Sequence, residues 1–384
     1  MTSPNKFHYF DNNATTRVAP EVLAAMLPFY TELWGNPSSA YSFGHQLAKH
    51  IEHARAQVAA LVNAEPKEII FTSCGTESNN AAIHSALVAH PSKRHIVTTA
   101  VEHSANIKFT AHLKKMGFEV TLLPVEADGS LDIHVLDQAI RPDTAIVSAM
   151  WANNETGVLF PVEEISAICR SQGVPFHTDA VQVPGKLKMD VKDLDVDFLS
   201  LSAHKLHAPK GVGALYIKHH TRFAPYVIGG GQERGRRGGT ENVASIVGFG
   251  CAAELAQKNL KDEHTRVRAL RDRAEQGILK HIPHTVRNGD RDARLCNTSN
   301  LSFAGVEAGD LLKALDHVGI CASSGSACTT GSLEPSHVLT AMGLNADRAR
   351  GSVRFSLGLY NTDADVDVLL EKLPGLVSKL RAQK

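Results

Sequence analysis

The sequence predicts an α/β protein built on a mainly parallel sheet, and two observations carry that prediction. Short apolar runs alternate with amphipathic stretches between about residues 45 and 217. The amphipathic stretches have helical spacing, as in Leu47, Ile51, Ala54, Val58 and Leu61, which lie three or four residues apart. Such alternation is typical of a parallel sheet with helices on both faces, where ligands bind beyond the carboxyl ends of the strands.

Seven apolar runs are the predicted strands, and most are separated by 10–20 residues with helical spacing. They cover residues 68–71, 95–99, 119–123, 145–150, 174–177, 198–201 and 213–217. A Gly/Arg-rich segment, residues 229–240, follows the last of them. A charged helix predicted over residues 254–279 would lead into a C-terminal domain containing residues 301–303, the segment around Cys328 and residues 353–357.

Composition narrows the class of protein. A length of 384 residues favours two domains, and 43% hydrophobic residues can form a sizeable core. Forty basic residues balance forty acidic ones, so no net charge attracts nucleic acid or an anionic membrane. No apolar run approaches the length of a membrane span, residues 1–6 lack an apolar signal core, and the six cysteines lack paired spacing. We therefore expect a soluble cytoplasmic protein with free thiols.

A lysine and an aspartate at strand ends indicate the chemistry. Lys205 follows the run 198–202, and Asp179 ends the segment 174–179. Pyridoxal phosphate (PLP) needs a lysine for its Schiff base and a carboxylate for its pyridine nitrogen. A lone Lys is usually a solvated surface residue, but one placed after a buried strand has a lowered pKa, as Schiff-base chemistry requires.

A phosphate site is predicted at residues 72–77, where a strand, a Gly turn and a helix start follow one another. Backbone amides at a helix N-terminus attract phosphate, and Gly75 lets them approach while Thr76 adds a hydroxyl. Taken alone, the segment also fits an ordinary N-cap. Ser202 and His204, beside Lys205, could complete the site.

Four further polar residues are candidates by position. His103 follows a strand and could stack on the cofactor ring, although a lone His is more often structural. Asn154 could donate to a ring oxygen or a substrate carboxylate, and Gln182, one helical turn after Asp179, could bond the ring hydroxyl. Arg354 could clamp a carboxylate bidentately or lie exposed on its strand.

Residues 323–332 are ten consecutive small residues that enclose one thiol, Cys328. Most free cysteines are buried packing residues, but a Cys in a Gly/Ser segment packs poorly and is placed to move and react. Metal, nicotinamide and P-loop sites are not indicated, because the chain lacks C-x-x-C, H-E-x-x-H, a strand-linked G-x-G-x-x-G and G-K-[ST].

Taken together, these motifs resemble a PLP-dependent cysteine desulfurase of the nitrogen-fixation (NifS) type, in the aminotransferase class V superfamily. The resemblance covers nearly the whole chain. It rests on residues 10–16, 35–39, 72–77, 150–157, 177–182, 204–213 and 238–242, the Cys328 segment with residues 334–337, and Arg354. One departure is Gly238 beside Gly239, where many relatives carry a bulkier residue.

The resemblance implies an aspartate aminotransferase-like fold with a seven-stranded sheet and a smaller α+β C-terminal domain. It implies a large domain of residues 15–258 and a small domain formed by residues 1–14 and 259–384. It also implies conversion of L-cysteine to L-alanine by a homodimer, with sulfur passing to an iron–sulfur scaffold protein that serves nitrogenase-related cluster assembly.

The resemblance also implies roles for single residues. Lys205 would bind the cofactor and Asp179 would face its pyridine nitrogen, with Gln182 at the phenolic oxygen and His103 at the ring face. The phosphate would be held by Gly75, Thr76, Ser202 and His204, and by Thr240 from the other subunit. Asn13, Asn154 and Arg354 would bind the substrate, and Cys328 would accept its sulfur.

Two kinds of alternative stay open. One is a selenocysteine lyase or a class V aminotransferase on the same fold, neither of which needs a mobile thiol. The other is a binding protein that uses the Gly/Arg segment on nucleic acid, which the zero net charge and the few interleaved aromatic residues disfavour.

Overall fold

A seven-stranded sheet forms the centre of the larger part of the molecule. The computed structural model describes residues 7–324 and 335–383. Twelve strands lie within these residues: β1 His8–Tyr9, β2 Ile69–Thr72, β3 His95–Thr99, β4 Glu119–Leu123, β5 Thr144–Ser148, β6 Phe176–Asp179, β7 Phe198–Ser202, β8 Gly213–Ile217, β9 Thr285–Asn288, β10 Thr298–Phe303, β11 Ile320–Cys321 and β12 Ser352–Ser356. The central sheet has the order β2-β8-β7-β6-β5-β3-β4, and only β8 runs antiparallel to its neighbours.

The two longest helices of the described residues, Val243–Asp262 (α10) and Asp363–Ala382 (α15), both lie in the second half of the chain. The helices in chain order are α1 Pro20–Met26, α2 Pro28–Thr31, α3 Ser42–His45, α4 Leu47–Leu61, α5 Gly75–Ala89, α6 Ser104–Lys115, α7 Ile133–Ala139, α8 Val162–Ser171, α9 Val191–Leu194, α10 Val243–Asp262, α11 Arg268–His281, α12 Ala308–His317, α13 His337–Ala341, α14 Ala346–Arg350 and α15 Asp363–Ala382. A π-helical turn, Glu263–Val267, joins α10 to α11, and short 3-10 turns lie at Pro66–Glu68, Ala203–Lys205 and Gln232–Gly235.

The predicted α/β class and the mainly parallel seven-stranded sheet are confirmed. Strands β3, β4 and β8 have the predicted bounds, and the other four differ at an end by one or two residues. All residues of β3, β5, β6, β7 and β8 are buried, as expected where helices cover both faces of a parallel sheet. The predicted charged helix begins earlier, at Val243, because Asn242 caps it through a bond from the Ser245 backbone amide.

The spacing of Asp179 and Gln182 predicts that they lie one helical turn apart, and this prediction is wrong. The residues directly after β6 are not helical; the chain makes a turn in which the Val183 amide donates to the Ala180 carbonyl oxygen at 2.9 Å. Gly185 then adopts a φ of +74°, which a helix would not allow. Gln182 is therefore positioned by a turn rather than by a helical repeat.

A second, smaller sheet has the order β12-β10-β9 and is antiparallel. The chain's first strand, β1, pairs in parallel with β11, so residues near the N-terminus lie beside residues more than 300 positions later. The Asp11 backbone also bridges to Ser356. This arrangement carries the N-terminal segment alongside the small sheet and onward to the carboxyl ends of the central strands.

The described residues form separate hydrophobic cores. One surrounds the central sheet and its helices, and another contains Phe10, Phe303, Phe355 and the apolar faces of α11, α12 and α15. Val338, Leu339 and Met342 pack with the first core, although residues of the second core both precede and follow them in sequence. The separate cores support the proposal that the chain has two domains. These would be a large domain of residues 15–258 and a small domain formed by residues 1–14 and 259–384. No helix within the described ranges is long and apolar enough to cross a membrane.

Candidate active site

A cavity of about 250 Å³ opens at the carboxyl ends of β6 and β7 and brings together nine of the predicted site residues. These are Gly75, Thr76, His103, Asn154, Asp179, Gln182, Ser202, His204 and Lys205. They come from five separate segments of the chain, and the shared direction of the parallel strands places these segments at one edge of the sheet. The cavity is the candidate active site.

Lys205 lies on the 3-10 turn Ala203–Lys205 directly after β7. Its Nζ donates hydrogen bonds to the carbonyl oxygens of Asn13 at 2.6 Å and Ala14 at 2.7 Å. Burial is the main cause that lowers the Lys205 pKa to about 7, and the positive charge of Arg354 lowers it further. A large fraction of the amine is therefore uncharged near neutral pH, which is the state that attacks an aldehyde or accepts a proton.

Asp179 ends β6 and is buried, with both carboxylate oxygens in hydrogen bonds. The side-chain amide of Asn79, on α5, donates to its Oδ2 at 2.6 Å, and the Val181 backbone amide donates to its Oδ1 at 3.0 Å. Asn79 also lines the cavity and was not predicted. Its position one helical turn after Thr76 could have identified it, because residues i and i+3 share a helix face.

Gln182 reaches the same wall of the cavity. Its Nε2 donates to the Asn13 carbonyl oxygen at 3.1 Å. Its Oε1 is buried and has no hydrogen-bond partner among the residues that the structure describes. A buried acceptor of this kind can take a hydrogen bond from a hydroxyl of a bound molecule.

The start of α5 forms the narrow end of the cavity. Cys74 is its N-cap residue, and Gly75 is the first residue of the helix. A Cβ atom at Gly75 would lie 2.7 Å from Cγ2 of Val181 and 3.4 Å from Cβ of Ser202, so only glycine fits between these side chains. The free amides of the first helical turn, together with the Ser202 hydroxyl, make this end suited to an anion.

His204 and His103 add two imidazoles. Burial is the main cause that lowers the His204 pKa to about 4, helped by the charges of Lys205 and Lys210, so this ring is neutral and hydrogen-bonds with Thr15. His103 caps α6 by accepting from the Ala105 amide at 3.2 Å. Burial also lowers the His103 pKa, while Asp179 opposes the shift, so the half-buried ring is a neutral base near pH 7.

Arg354 lies on β12 and is 1% exposed, so it is not an exposed strand arginine. Its guanidinium donates to the Asn154 carbonyl oxygen at 2.8 Å and forms an ion pair with Asp11 at 2.6 Å. The Asn13 side-chain amide donates to the same Asn154 carbonyl at 3.2 Å. Arg354 and Asn13 thus adjoin Asn154 at the rim of the cavity, although neither is part of its lining.

The two remaining predicted site residues are Thr240 and Cys328. Thr240 is exposed in the segment 229–240 and does not line the cavity. Cys328 lies outside the described residues. The described residues nearest to it in sequence, Ser324 and Pro335, are both partly buried.

Comparison with known proteins places the chain in one family. Residues 8–369 match the model of the family described as aminotransferase class-V. The chain is 56% identical to "Cysteine desulfurase 2" of Trichormus variabilis, covering 97% of this chain and 94% of that protein. It is 52% identical to "Cysteine desulfurase NifS" of Azotobacter vinelandii, covering 97% and 93%.

A solved structure called "NIFS-LIKE PROTEIN" superimposes with a TM-score of 0.92 at 38% identity, covering 97% of this chain and 100% of that one. The predicted resemblance is therefore confirmed at the level of both sequence and fold. With a family match that spans residues 8–369, the chain belongs to the aminotransferase class-V family.

Proposed function

We propose that this protein is a PLP-dependent cysteine desulfurase that converts L-cysteine to L-alanine and leaves the sulfur as a persulfide on Cys328. One observation carries the proposal. A single cavity holds a lysine amine with a lowered pKa, a buried carboxylate and a helix N-terminus, contributed by Lys205, Asp179 and α5. These are the groups that an aldehyde cofactor with a pyridine ring and a phosphate requires.

The cavity fits PLP in its described residues. The close approach at Gly75 leaves space beside the first amides of α5 that a larger residue would fill. Gly75, Thr76, Ser202 and His204 would hold the phosphate there. Asp179 would hold a proton at the pyridine nitrogen, and the unpartnered Oε1 of Gln182 would accept from the ring hydroxyl. His103 would lie against the ring face.

When bound, PLP supplies an aldehyde that links covalently to an amine and a ring that accepts electrons released at the substrate's Cα. Lys205 would hold the cofactor and, once displaced by the substrate's amino group, take the proton from Cα. Its lowered pKa suits both tasks, since each needs the neutral amine. The Asp179 carboxylate keeps the ring nitrogen protonated and so maintains the ring's capacity for electrons.

Substrate orientation would come from the rim of the cavity. Arg354 offers a guanidinium to the substrate carboxylate, and Asn154 offers its side-chain amide, with Asn13 positioned beside it. Arg354 is fixed by its pair with Asp11, so little side-chain freedom is lost when a carboxylate binds.

Sulfur transfer would then fall to Cys328. Its thiolate forms a bond to the substrate sulfur while the Cβ–S bond breaks, and the electron pair of that bond stays on Cβ. Cβ takes a proton and becomes the methyl group of alanine. His103, a neutral imidazole in the cavity, is the candidate to accept the thiol proton of Cys328.

The active form would be a homodimer, with Thr240 of each subunit completing the phosphate site of the other. Two features support this. Thr240 is exposed rather than directed into its own chain's cavity, and the large apolar side chains of Tyr226 and Ile228, just before residues 229–240, are 39% and 88% exposed. Exposed apolar patches of this kind mark protein interfaces.

The persulfide would pass to a thiol of an iron–sulfur scaffold protein in the cytoplasm. The likeness to a relative named NifS favours an acceptor related to nitrogenase. No contact with nucleic acid or membrane is part of the proposal. A selenocysteine lyase or an aminotransferase on the same fold is the competing function, and the test separates them.

The test measures alanine and protein-bound sulfur from L-cysteine for the wild type, Lys205→Ala and Cys328→Ala. Cys251→Ala, a half-buried cysteine on α10, is the matched control. Lys205→Ala should lose the cofactor's covalent absorption band and at least roughly 100-fold of turnover. Cys328→Ala should keep the band but form almost no alanine. Cyanide should release sulfur from the Cys328 peptide of the wild type and of the control Cys251→Ala, and from neither Lys205→Ala nor Cys328→Ala.

Alanine formed at an undiminished rate by Cys328→Ala would exclude sulfur transfer to this thiol and favour a lyase. Formation of a 2-oxo acid in place of alanine would identify an aminotransferase. An unchanged absorption band in Lys205→Ala would overturn the assignment of the cofactor lysine.

A further inference from the structure

A second cavity lies behind Lys205 and contains charged groups that the proposed reaction does not use. Its volume is about 280 Å³, and Lys205 lines it as well as the active-site cavity. Lys186 and Glu263 also line this rear cavity. Lys186 is 6% exposed and Glu263 is 8% exposed, so both side chains are removed from bulk water.

The backbone directs Lys186 into this position. After β6 the Lys186 amide donates to the Val183 carbonyl oxygen at 2.9 Å, closing a turn. Gly185 within the turn has a φ of +74°, and a Cβ atom there would lie 3.3 Å from Cβ of Ala256 on α10. The turn is therefore pressed against α10, and the next side chain, that of Lys186, enters the interior.

Glu263 faces Lys186 from the point where α10 ends and the π-helical turn Glu263–Val267 begins. Its Oε2 is buried and lacks a hydrogen-bond partner within the described ranges 7–324 and 335–383. An isolated buried charge is costly in free energy, so two opposite charges in one cavity stabilise each other. Removing one of them changes the electrostatic potential at neighbouring groups.

We propose that Lys186 is a positioning residue for the reaction. Its ammonium group, kept charged by Glu263, favours the uncharged state of the Lys205 amine from the side opposite the cofactor. This inference rests on the proposed function of Lys205. It assigns the rear cavity an electrostatic role: Lys186 touches neither cofactor nor substrate and acts only through Lys205.

The pKa shifts agree with this geometry. After burial and Arg354, the charge of Lys186 is the next cause that lowers the Lys205 pKa to about 7. Burial lowers the Lys186 pKa and raises the Glu263 pKa to about 7, and in each case the partner opposes the shift. The Glu263 carboxylate therefore favours the protonated form of Lys186.

Other charged or titratable groups surround the two lysines. Asp11, Asp179 and Arg354 act on Lys205, Cys296 acts on Lys186, and the rear cavity is also lined by Glu21, His207 and Lys258. Lys258 is exposed and is not among the causes of the Lys205 shift, so it makes a matched control of the same charge in the same cavity.

The experiment measures the pKa of Lys205 directly in the full chain after removal of the cofactor. Competitive acetylation over a pH series, followed by mass spectrometry of the peptide that contains Lys205, reports this one amine. Lys186→Met should raise the Lys205 pKa by about one pH unit, a tenfold rise in the ratio of charged to neutral amine. Lys258→Met should leave it unchanged.

The loaded enzyme gives a second measurement. With Lys186→Met, the acidic limb of the kcat–pH profile should move to higher pH by a similar amount, while KM for cysteine stays close to the wild-type value. A purely structural effect of the substitution would lower kcat at every pH and leave the position of the limb unchanged.

Glu263→Gln tests the counter-charge. Without Glu263, Lys186 should lose its proton, so the Lys205 pKa should rise as in Lys186→Met, and adding Glu263→Gln to Lys186→Met should cause no further shift. The double variant removes both charges together, so it can be measured even if Lys186→Met alone fails to fold.

Equal Lys205 pKa values in Lys186→Met and the wild type would overturn the proposal. A Glu263→Gln shift of the same size in both backgrounds would show that Glu263 acts without Lys186. These outcomes are distinct from a failure of the proposed function. If Lys205 did not hold the cofactor, Lys205→Ala would retain the covalent absorption band, and the acetylation measurement would be unaffected.

Discussion

At the scale of single residues, the site holds a lysine and an aspartate in one cavity. Burial and the charge of Arg354 favour the neutral amine of Lys205, whereas the Asp179 carboxylate accepts two hydrogen bonds, from the Asn79 side-chain amide and from the Val181 backbone amide. Side chains of opposite chemical type are therefore held ready for different tasks. The contrast predicts which step each substitution should damage.

Asp179→Asn should lower kcat by roughly 100-fold or more while KM for cysteine changes little. Asparagine keeps the size of the side chain but cannot hold a proton at the cofactor's ring nitrogen. Steady-state kinetics with L-cysteine checks this, and Asn79→Ala, which removes only one donor to the carboxylate, should cause a smaller loss of kcat. A raised KM with an unchanged kcat would show that Asp179 serves binding instead.

At the scale of elements, the segment 229–240 is fixed by ion pairs to α4 and α5 and by a hydrogen bond to β2. Glu233 is buried and accepts two hydrogen bonds from the Arg55 guanidinium, at 2.6 and 2.9 Å, and one from the Phe71 amide at 2.9 Å. Arg237 pairs with Glu77 in the first turn of α5. Glu233 and Arg234 adopt left-handed backbone angles, which these pairs hold in place.

Arg55→Met should destabilise the protein by about 3–5 kcal/mol, because it leaves the Glu233 carboxylate buried without its partner. Glu52→Gln is the matched control. Glu52 also contacts Arg55 but is 52% exposed at its side chain, so its loss should cost about 1 kcal/mol or less.

Urea unfolding monitored by circular dichroism measures both variants, and limited trypsin digestion should cut residues 234–237 faster in Arg55→Met only. If the two variants lose equal stability, the buried pair does not hold the segment.

Elements with strong local patterns could be predicted, and contacts between distant segments could not. Strands β3, β4 and β8 follow from their apolar runs, and α4 follows from spacing that begins and ends at Leu47 and Leu61. The position of Gln182 depended on a turn whose geometry is set by packing against α10, so helical spacing gave the wrong local structure.

The pairing of Arg354 with Asp11 likewise has no local pattern, because it joins residues 343 positions apart. The Lys186–Glu263 cavity behind Lys205 was missed for the same reason. Nine site residues were nevertheless placed in one cavity, because ends of parallel strands meet at one edge of the sheet.

At the scale of the whole molecule, the proposed site would require both subunits. Equal amounts of Lys205→Ala and Thr240→Ala chains, allowed to exchange subunits, should recover activity at limiting cofactor. If Thr240 acts across the interface, each mixed dimer has one site with both changes and one site with neither. The mixture is compared with each parent variant.

Lys205→Ala mixed with Asp179→Asn provides the control. Both of these residues belong to the same chain's cavity, so no intact site forms and activity should not return. Recovery in neither mixture, with subunit exchange demonstrated by mass spectrometry, would place Thr240 in the site of its own chain.

The pairing of β1 with β11, and of Asp11 with Ser356 and Arg354, has a consequence for the order of events in the cell. The segment that supplies the Asn13 and Ala14 carbonyls to Lys205 leaves the ribosome more than 300 residues before its partners. At about 5–20 residues per second, the segment waits roughly 15–60 s for them. Emergence of residues 320–356, rather than completion of the central sheet, therefore sets the earliest moment at which a newborn molecule can acquire its cofactor.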